Sequence, residues 1–88
     1  MQIDFLKKFE KDIEHIQDAV ISVAILDKIT EVENAKTIFD ISNIKKLKGH
    51  KYAYRIRIGS FRIGILIEND IVEFARFIHS KDIYKHFP

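Results

Sequence analysis

The sequence predicts a single α+β domain in which an N-terminal helical hairpin packs on an antiparallel β-meander, with a short C-terminal helix or tail. Three observations predict it. Apolar residues in the first third recur every three or four positions, the spacing of one helix face. Those in the last third alternate at every second position, the spacing of a half-buried strand. The dipeptides Gly59-Ser60 and Asn69-Asp70 divide that last third into runs of hairpin length. A chain of 88 residues, 47% hydrophobic and 32% charged, supports one modest core, so residues 1–88 form one domain.

Gln2 to Asp4 reads as a short edge strand leading into the first helix. From Phe5 to Gln17, Phe5, Phe9, Ile13 and Ile16 form one apolar stripe. Asp18 can cap a second helix running to about Glu33, with Ile21, Ala24, Ile25, Ile29 and Val32 on its buried side. Asn34 to Gly49 lacks either period and reads as a connector. Strands follow at about Tyr52–Ile58, Phe61–Ile67 and Ile71–Ile78. The tail SKDIYKHF, residues 80–87, reads as a short helix or tail with Ser80 as a candidate cap.

Alternation assigns the sheet faces. Tyr52, Tyr54, Ile56, Ile58, Phe61, Ile63, Ile65 and Ile67 make an apolar face that packs under the helices. Ala53, Arg55, Arg57, Arg62, Gly64, Leu66 and Glu68 make the other. The two-residue turn sets Ile58 opposite Phe61, Arg57 opposite Arg62 and Arg55 opposite Gly64. A two-residue turn at Asn69-Asp70 then adds Ile71, Glu73, Ala75, Phe77 and His79 to the arginine face, with His79 near Arg62. The same register strands Arg76 on the apolar face.

No apolar run reaches the roughly 18 residues of a membrane span, and charges interrupt MQIDFLKKFEKD, which is no signal peptide. No membrane association and a cytoplasmic location are the expectation. Without cysteine there are no disulfides, thiolate metal ligands or thiol nucleophile. The net charge of +2 hides an asymmetry: residues 1–44 hold five Lys against nine Asp and Glu, and residues 45–88 hold ten Lys and Arg against four. A basic half on an acidic half is the footprint of a surface for a polyanion.

Arg55, Arg57 and Arg62 are the strongest candidate site. Guanidinium forks match phosphate oxygens and stay charged at any working pH. Like charges directly opposite on a sheet repel, so an anion should compensate. Gly64 lowers the surface beside Arg55, where a ligand backbone could approach. Lys45, Lys46, Lys48 and Lys51 of KKLKGHK are flexible phosphate handles, here candidates for RNA binding. In the tail, His79, Lys81 and Tyr84 supply a group able to move protons, a cation and an aromatic ring. His15, His50 and His86 have no metal-ligand spacing. Neither a Gly-rich phosphate loop nor a Ser/His/Asp set stands out, so no cofactor and no metal are expected.

IKKLKG, then YRIRIGSFRIG, then a strand ending in IHSKDIY resembles the RelE/ParE toxin superfamily of bacterial type II toxin–antitoxin systems, over nearly the whole chain. In the RelE-like branch the resemblance implies a ribosome-dependent endoribonuclease that cuts mRNA in the A site. The substrate's 2′-hydroxyl attacks the adjacent phosphate without metal. Arg55 and Arg57 match basic strand positions of that branch, and Arg62 matches the arginine that contacts the scissile phosphate. Tyr84 matches the C-terminal tyrosine that stacks on or orients the substrate, and Lys81 stands where arginine is common. Ser80 replaces one tail cation, and no glutamate stands in KKLKG, so the base would be His79 or a residue of the basic cluster, and His79 is the better acceptor because arginine holds its proton. The partners implied are a cognate antitoxin protein, the ribosome and mRNA. In the ParE-like branch the same fold inhibits DNA gyrase without a nuclease site, and an inactive, antitoxin-binding relative is a further alternative.

Overall fold

A computed structural model describes all residues, 1–88. Its elements in chain order are β1 (Gln2–Phe5), α1 (Lys7–Glu14), α2 (Ala19–Asn34), a 3₁₀ turn (Ile38–Asp40), β2 (Ile44–Lys46), β3 (Ala53–Ile58), β4 (Phe61–Glu68), β5 (Ile71–His79) and α3 (Ile83–His86). The α+β class and the central meander agree with the sequence reading. The sheet is wider than three strands. It has five, in the order β1-β5-β4-β3-β2, and β1 runs parallel to β5. β2 lies inside the segment expected to be an irregular connector; three residues are too few to display a period of two.

Local chemistry accounts for the helix and turn ends. The Asp18 carboxylate caps α2 by accepting from the Val20 and Ile21 backbone N–H groups. In the connector, Thr37 and Asp40 form a reciprocal capping box around the 3₁₀ turn. The expected cap at Ser80 is not made; α3 begins after Asp82, and the Ser80 N–H instead donates to the Ser60 carbonyl. Asn69 and Asp70 both take positive φ, as the two-residue turn that matches strand twist requires.

The core lies between the helices and one sheet face. Phe9 of α1 and Ile25 and Val32 of α2 pack with Ile56, Ile63, Ile65, Val72, Phe74 and Phe77. Each such side chain contributes about 1.5–3 kcal/mol when buried. Phe74 anchors an aromatic group, with ring centroids 5.3 Å from Phe5 and 5.4 Å from Phe9. The far sheet face is not open either. Leu47, Ala53, Ala75, Ile83 and Phe87 form a second, smaller cluster there, made by the C-terminal tail folding back over the strands.

One strand departs from the alternation. β4 and β5 pair as Phe61 with His79, Arg62 with Ile78, Ile63 with Phe77 and Gly64 with Arg76, but Ile65 then pairs with Phe74. The extra residue is Ala75, a β-bulge that reverses the parity of everything beyond it. Phe77 therefore faces the core beside Ile63, and Arg76 escapes the apolar face. The expected grouping of Phe77 and His79 with the arginines is corrected accordingly. Physically, the bulge keeps a guanidinium out of the core and puts a phenyl ring in.

Candidate functional site

β3 and β4 build the arginine face. Ile56 and Ile63, both wholly buried, pull the two strands onto the helices, so Arg55, Arg57 and Arg62 must project from the opposite side. The register is the expected one: Arg57 faces Arg62, and Arg55 faces Gly64. Lys45 of β2 pairs with Arg55 and extends the cationic row to the sheet edge. Lys46 pairs with Tyr54 and so belongs to the other face. Lys48 and Lys51 are exposed on the loop beyond β2, with the Lys51 ammonium 5.4 Å from the Tyr52 ring. Of the four lysines, the register brings only Lys45 into the arginine row.

No carboxylate neutralises the three arginines. The chain's ion pairs are Glu31 with Lys28 and Asp12 with Arg76, and Glu14 lies 3.6 Å from the His15 ring. Arg62 is turned back over the hairpin, where Nη1 donates to the carbonyls of Gly59 at 2.9 Å and Phe61 at 2.8 Å. Those dipoles ease part of the repulsion that an external anion was expected to relieve alone. Arg55 reaches only the Asn43 carbonyl, at 3.5 Å, and Arg57 is exposed. Partial burial first, and then the charges of Arg55 and Arg57, hold the Arg62 guanidinium below its usual range, while Tyr84 acts in the opposite direction. It stays protonated at neutral pH, and it carries a charge that its surroundings disfavour.

The tail brings Tyr84 to this face. Ile83 and Phe87 are buried in the second cluster, which leaves Tyr84 on the outer side of α3, 70% exposed. Lys81 is exposed in the preceding turn. Gly64 is covered by the chain itself: the Phe87 ring lies against it, in the space expected to admit a ligand backbone.

His79 is not where alternation placed it. The bulge sets it opposite Phe61, its imidazole edge-on to that ring with centroids 5.8 Å apart. Its Nδ1 accepts from the Lys81 backbone N–H at 3.2 Å. That bond occupies the Nδ1 lone pair and leaves the proton of the neutral ring on Nε2.

Sequence reasoning missed the pair that frames the site. Asp12 of α1 accepts from Arg76 Nε at 2.8 Å and from the Phe77 backbone N–H at 2.9 Å. β1 pairs with β5 only as far as Phe74, so the Phe77 N–H lies on an unpaired edge that Asp12 closes. The only signal in the sequence was the misfit of Arg76 itself.

Fold and site together define a small α+β protein with a basic, carboxylate-free sheet face beside a C-terminal tyrosine. No family model matches the chain. It is 40% identical over 89 residues to Toxin RelE3 of Methanocaldococcus jannaschii, with 100% of both chains covered. Its structure is similar to that of the RelB–RelE antitoxin–toxin complex of Methanococcus jannaschii, with TM-score 0.81, 39% identity and 97% and 99% of the two chains covered. The intact RelBE complex of E. coli shares the fold at TM-score 0.70 and 19% identity, over 90% of this chain and 95% of that one. YafQ of E. coli does so at 0.67 and 12%, over 94% and 97%. The chain belongs to the RelE family of toxins within the RelE/ParE superfamily.

Proposed function

We propose that this protein is the toxin of a RelBE-type pair and acts as a metal-independent endoribonuclease on mRNA in the ribosomal A site. One observation carries the reading: of four arginines on adjacent strands, Arg76 is paired with Asp12, while Arg55, Arg57 and Arg62 have no acidic partner in the chain. An evolved cationic face left without counter-charge fits a phosphate backbone.

The reaction would join the 2′-oxygen to phosphorus as the bond to the 5′-oxygen breaks, the 2′-hydroxyl proton passing to solvent water and water returning a proton to the 5′-oxygen, leaving a 2′,3′-cyclic phosphate and a 5′-hydroxyl. Charge accumulates on the non-bridging oxygens, where Arg57 and Arg62 would stabilise it. Arg55 and Lys45 would hold the neighbouring phosphate, and Lys46, Lys48 and Lys51 would meet ribosomal RNA. Tyr84 would stack on a base and fix the in-line geometry. Lys81 would add charge at the leaving side. His79 contributes at the border of the site, through the turn it shares with Lys81. Catalysis then rests mainly on electrostatics and positioning.

The cognate antitoxin would cover the same face with acidic side chains, in line with the antitoxin–toxin complexes among the structural relatives. The test is in-vitro translation with purified ribosomes, mapping mRNA ends by primer extension. Cuts in the A-site codon, lost in Arg57→Ala/Arg62→Ala, are expected. Intact mRNA with inhibited gyrase supercoiling would replace this reading with the ParE-like one.

A further inference from the structure

The Phe87 ring occupies the place where any residue but glycine would put its Cβ. A Cβ built on Gly64 stands 2.7 Å from Cδ2, 2.8 Å from Cγ and 2.9 Å from Cδ1 of that ring, distances that real side chains do not tolerate. Gly64 has an ordinary strand conformation, so a turn does not require glycine here; only the ring does. Phe87 is 5% exposed, and its N–H donates to the Ile83 carbonyl at 2.9 Å. That bond spans the single turn carrying Tyr84. A second tether holds the same segment: Arg76 Nη1 donates to the His86 carbonyl at 3.4 Å, and Asp12 fixes Arg76. The other end is tied by Ser80 to Ser60. The tail is therefore stretched along the arginine face between the hairpin turn and Gly64.

We propose that Gly64 is a positioning residue: its missing side chain is the socket for Phe87, and through the one-turn helix α3 that socket sets where Tyr84 stands over the arginine face. The socket lies in the cross-strand row of Lys45, Arg55 and Arg76, between the cations and the tail. A change that lifts Phe87 moves Tyr84 without touching an arginine. The inference rests on the arginine face being the RNA contact, in that Tyr84 matters to function only if substrate lies there.

The experiment records the Arg62 Nε–Hε resonance of the ¹⁵N-labelled protein, alongside anisotropy titrations with a short single-stranded RNA. Tyr84→Ala is expected to shift that resonance and to weaken RNA binding roughly tenfold, the scale of one lost base–aromatic stack. Gly64→Ala should shift it in the same sense with a similar loss, and Gly64→Ala/Tyr84→Ala should be no weaker than Tyr84→Ala alone. Phe87→Leu, which leaves the strand intact, should reproduce the effect if Gly64→Ala is too unstable to study. Gly64→Ala/Phe87→Ala should be no worse than Phe87→Ala, because the new methyl enters the vacated space. An Arg62 resonance that stays in place in both Gly64→Ala and Phe87→Leu overturns the proposal. Shifted resonances in a protein whose wild type binds no RNA uphold the positioning role and reject the RNA reading instead.

Discussion

Four arginines lie on β3, β4 and β5, and only Arg76 meets a carboxylate. Its partner Asp12 does two things, pairing the guanidinium and capping the Phe77 N–H, with both side chains mostly buried. Asp12→Ala leaves a cation and a backbone donor without partners, and we expect it to lower stability by about 2–4 kcal/mol in urea titrations. Asp12→Asn, which can still accept from Phe77, should cost less. At the site, Arg62→Lys keeps the charge but loses the planar fork, in which Nη1 alone meets the Gly59 and Phe61 carbonyls and the other N–H groups are left for a phosphate. Arg62→Ala should reduce ribosome-dependent cleavage by about a hundredfold, with Arg62→Lys intermediate. His79→Ala should reduce it far less, since its Nδ1 is occupied and its ring lies against Phe61. Equal losses for His79→Ala and Arg62→Ala would restore the histidine as the proton acceptor.

Among the elements, β5 and the connector decide how the site is mounted. Deleting Ala75 removes the extra residue and leaves an unbroken ladder, with Phe74 opposite Ile65, Arg76 opposite Gly64 and Phe77 opposite Ile63, so both faces keep their side chains. We expect that deletion to fold by circular dichroism, with stability lowered by the loss of Ala75 from the second cluster. The connector is anchored by Lys28, only 7% exposed, whose ammonium donates to Glu31 at 2.7 Å and to the Ser42 hydroxyl and carbonyl at 2.8 and 3.0 Å. Glu31 in turn accepts from the Ser42 N–H at 2.6 Å. Burial alone would raise the Glu31 pKa; hydrogen bonds from Lys28 and Ser42 outweigh it and hold the carboxyl below its ordinary value of 4.5. A carboxyl depressed by folding stabilises the fold above its unfolded pKa, and that contribution is lost as pH falls through the folded value. Stability measured below about pH 4.5 should therefore fall more steeply in wild type than in Glu31→Gln.

At the scale of the whole molecule, charge is sorted by layer. Residues 1–44, which include both long helices, hold nine of the thirteen acidic residues, and residues 45–88, most of the sheet and the tail, hold ten of the fifteen basic ones. Binding to single-stranded RNA should weaken with salt, with a log–log slope of about −2 to −3 if three or four phosphates are held. A slope near zero would argue against a phosphate contact on the arginine face. The tail is part of this layer, since it walls one side of the face and leaves the other, toward Lys45, open.

The sequence by itself determined the class of fold, the β3–β4 register and the three arginines on one face. Each follows from short-range rules: alternation, helical spacing and a two-residue turn relate neighbours whose positions are set by local backbone geometry. It also carried enough of the family's pattern in IKKLKG and YRIRIGSFRIG to indicate the superfamily. Tertiary structure decided the rest. The bulge at Ala75 has no local signal, because its benefit arises between strands, where Phe77 meets the core and Arg76 meets Asp12. β1 and β2 became sheet edges because β5 and β3 offered unpaired backbone, not because their own few residues alternate. The roles of Gly64 and His79 depended on partners 23 and 18 residues away, Phe87 and Phe61. Packing at that range is set by which surfaces the whole chain brings together, and no window of neighbouring residues contains it.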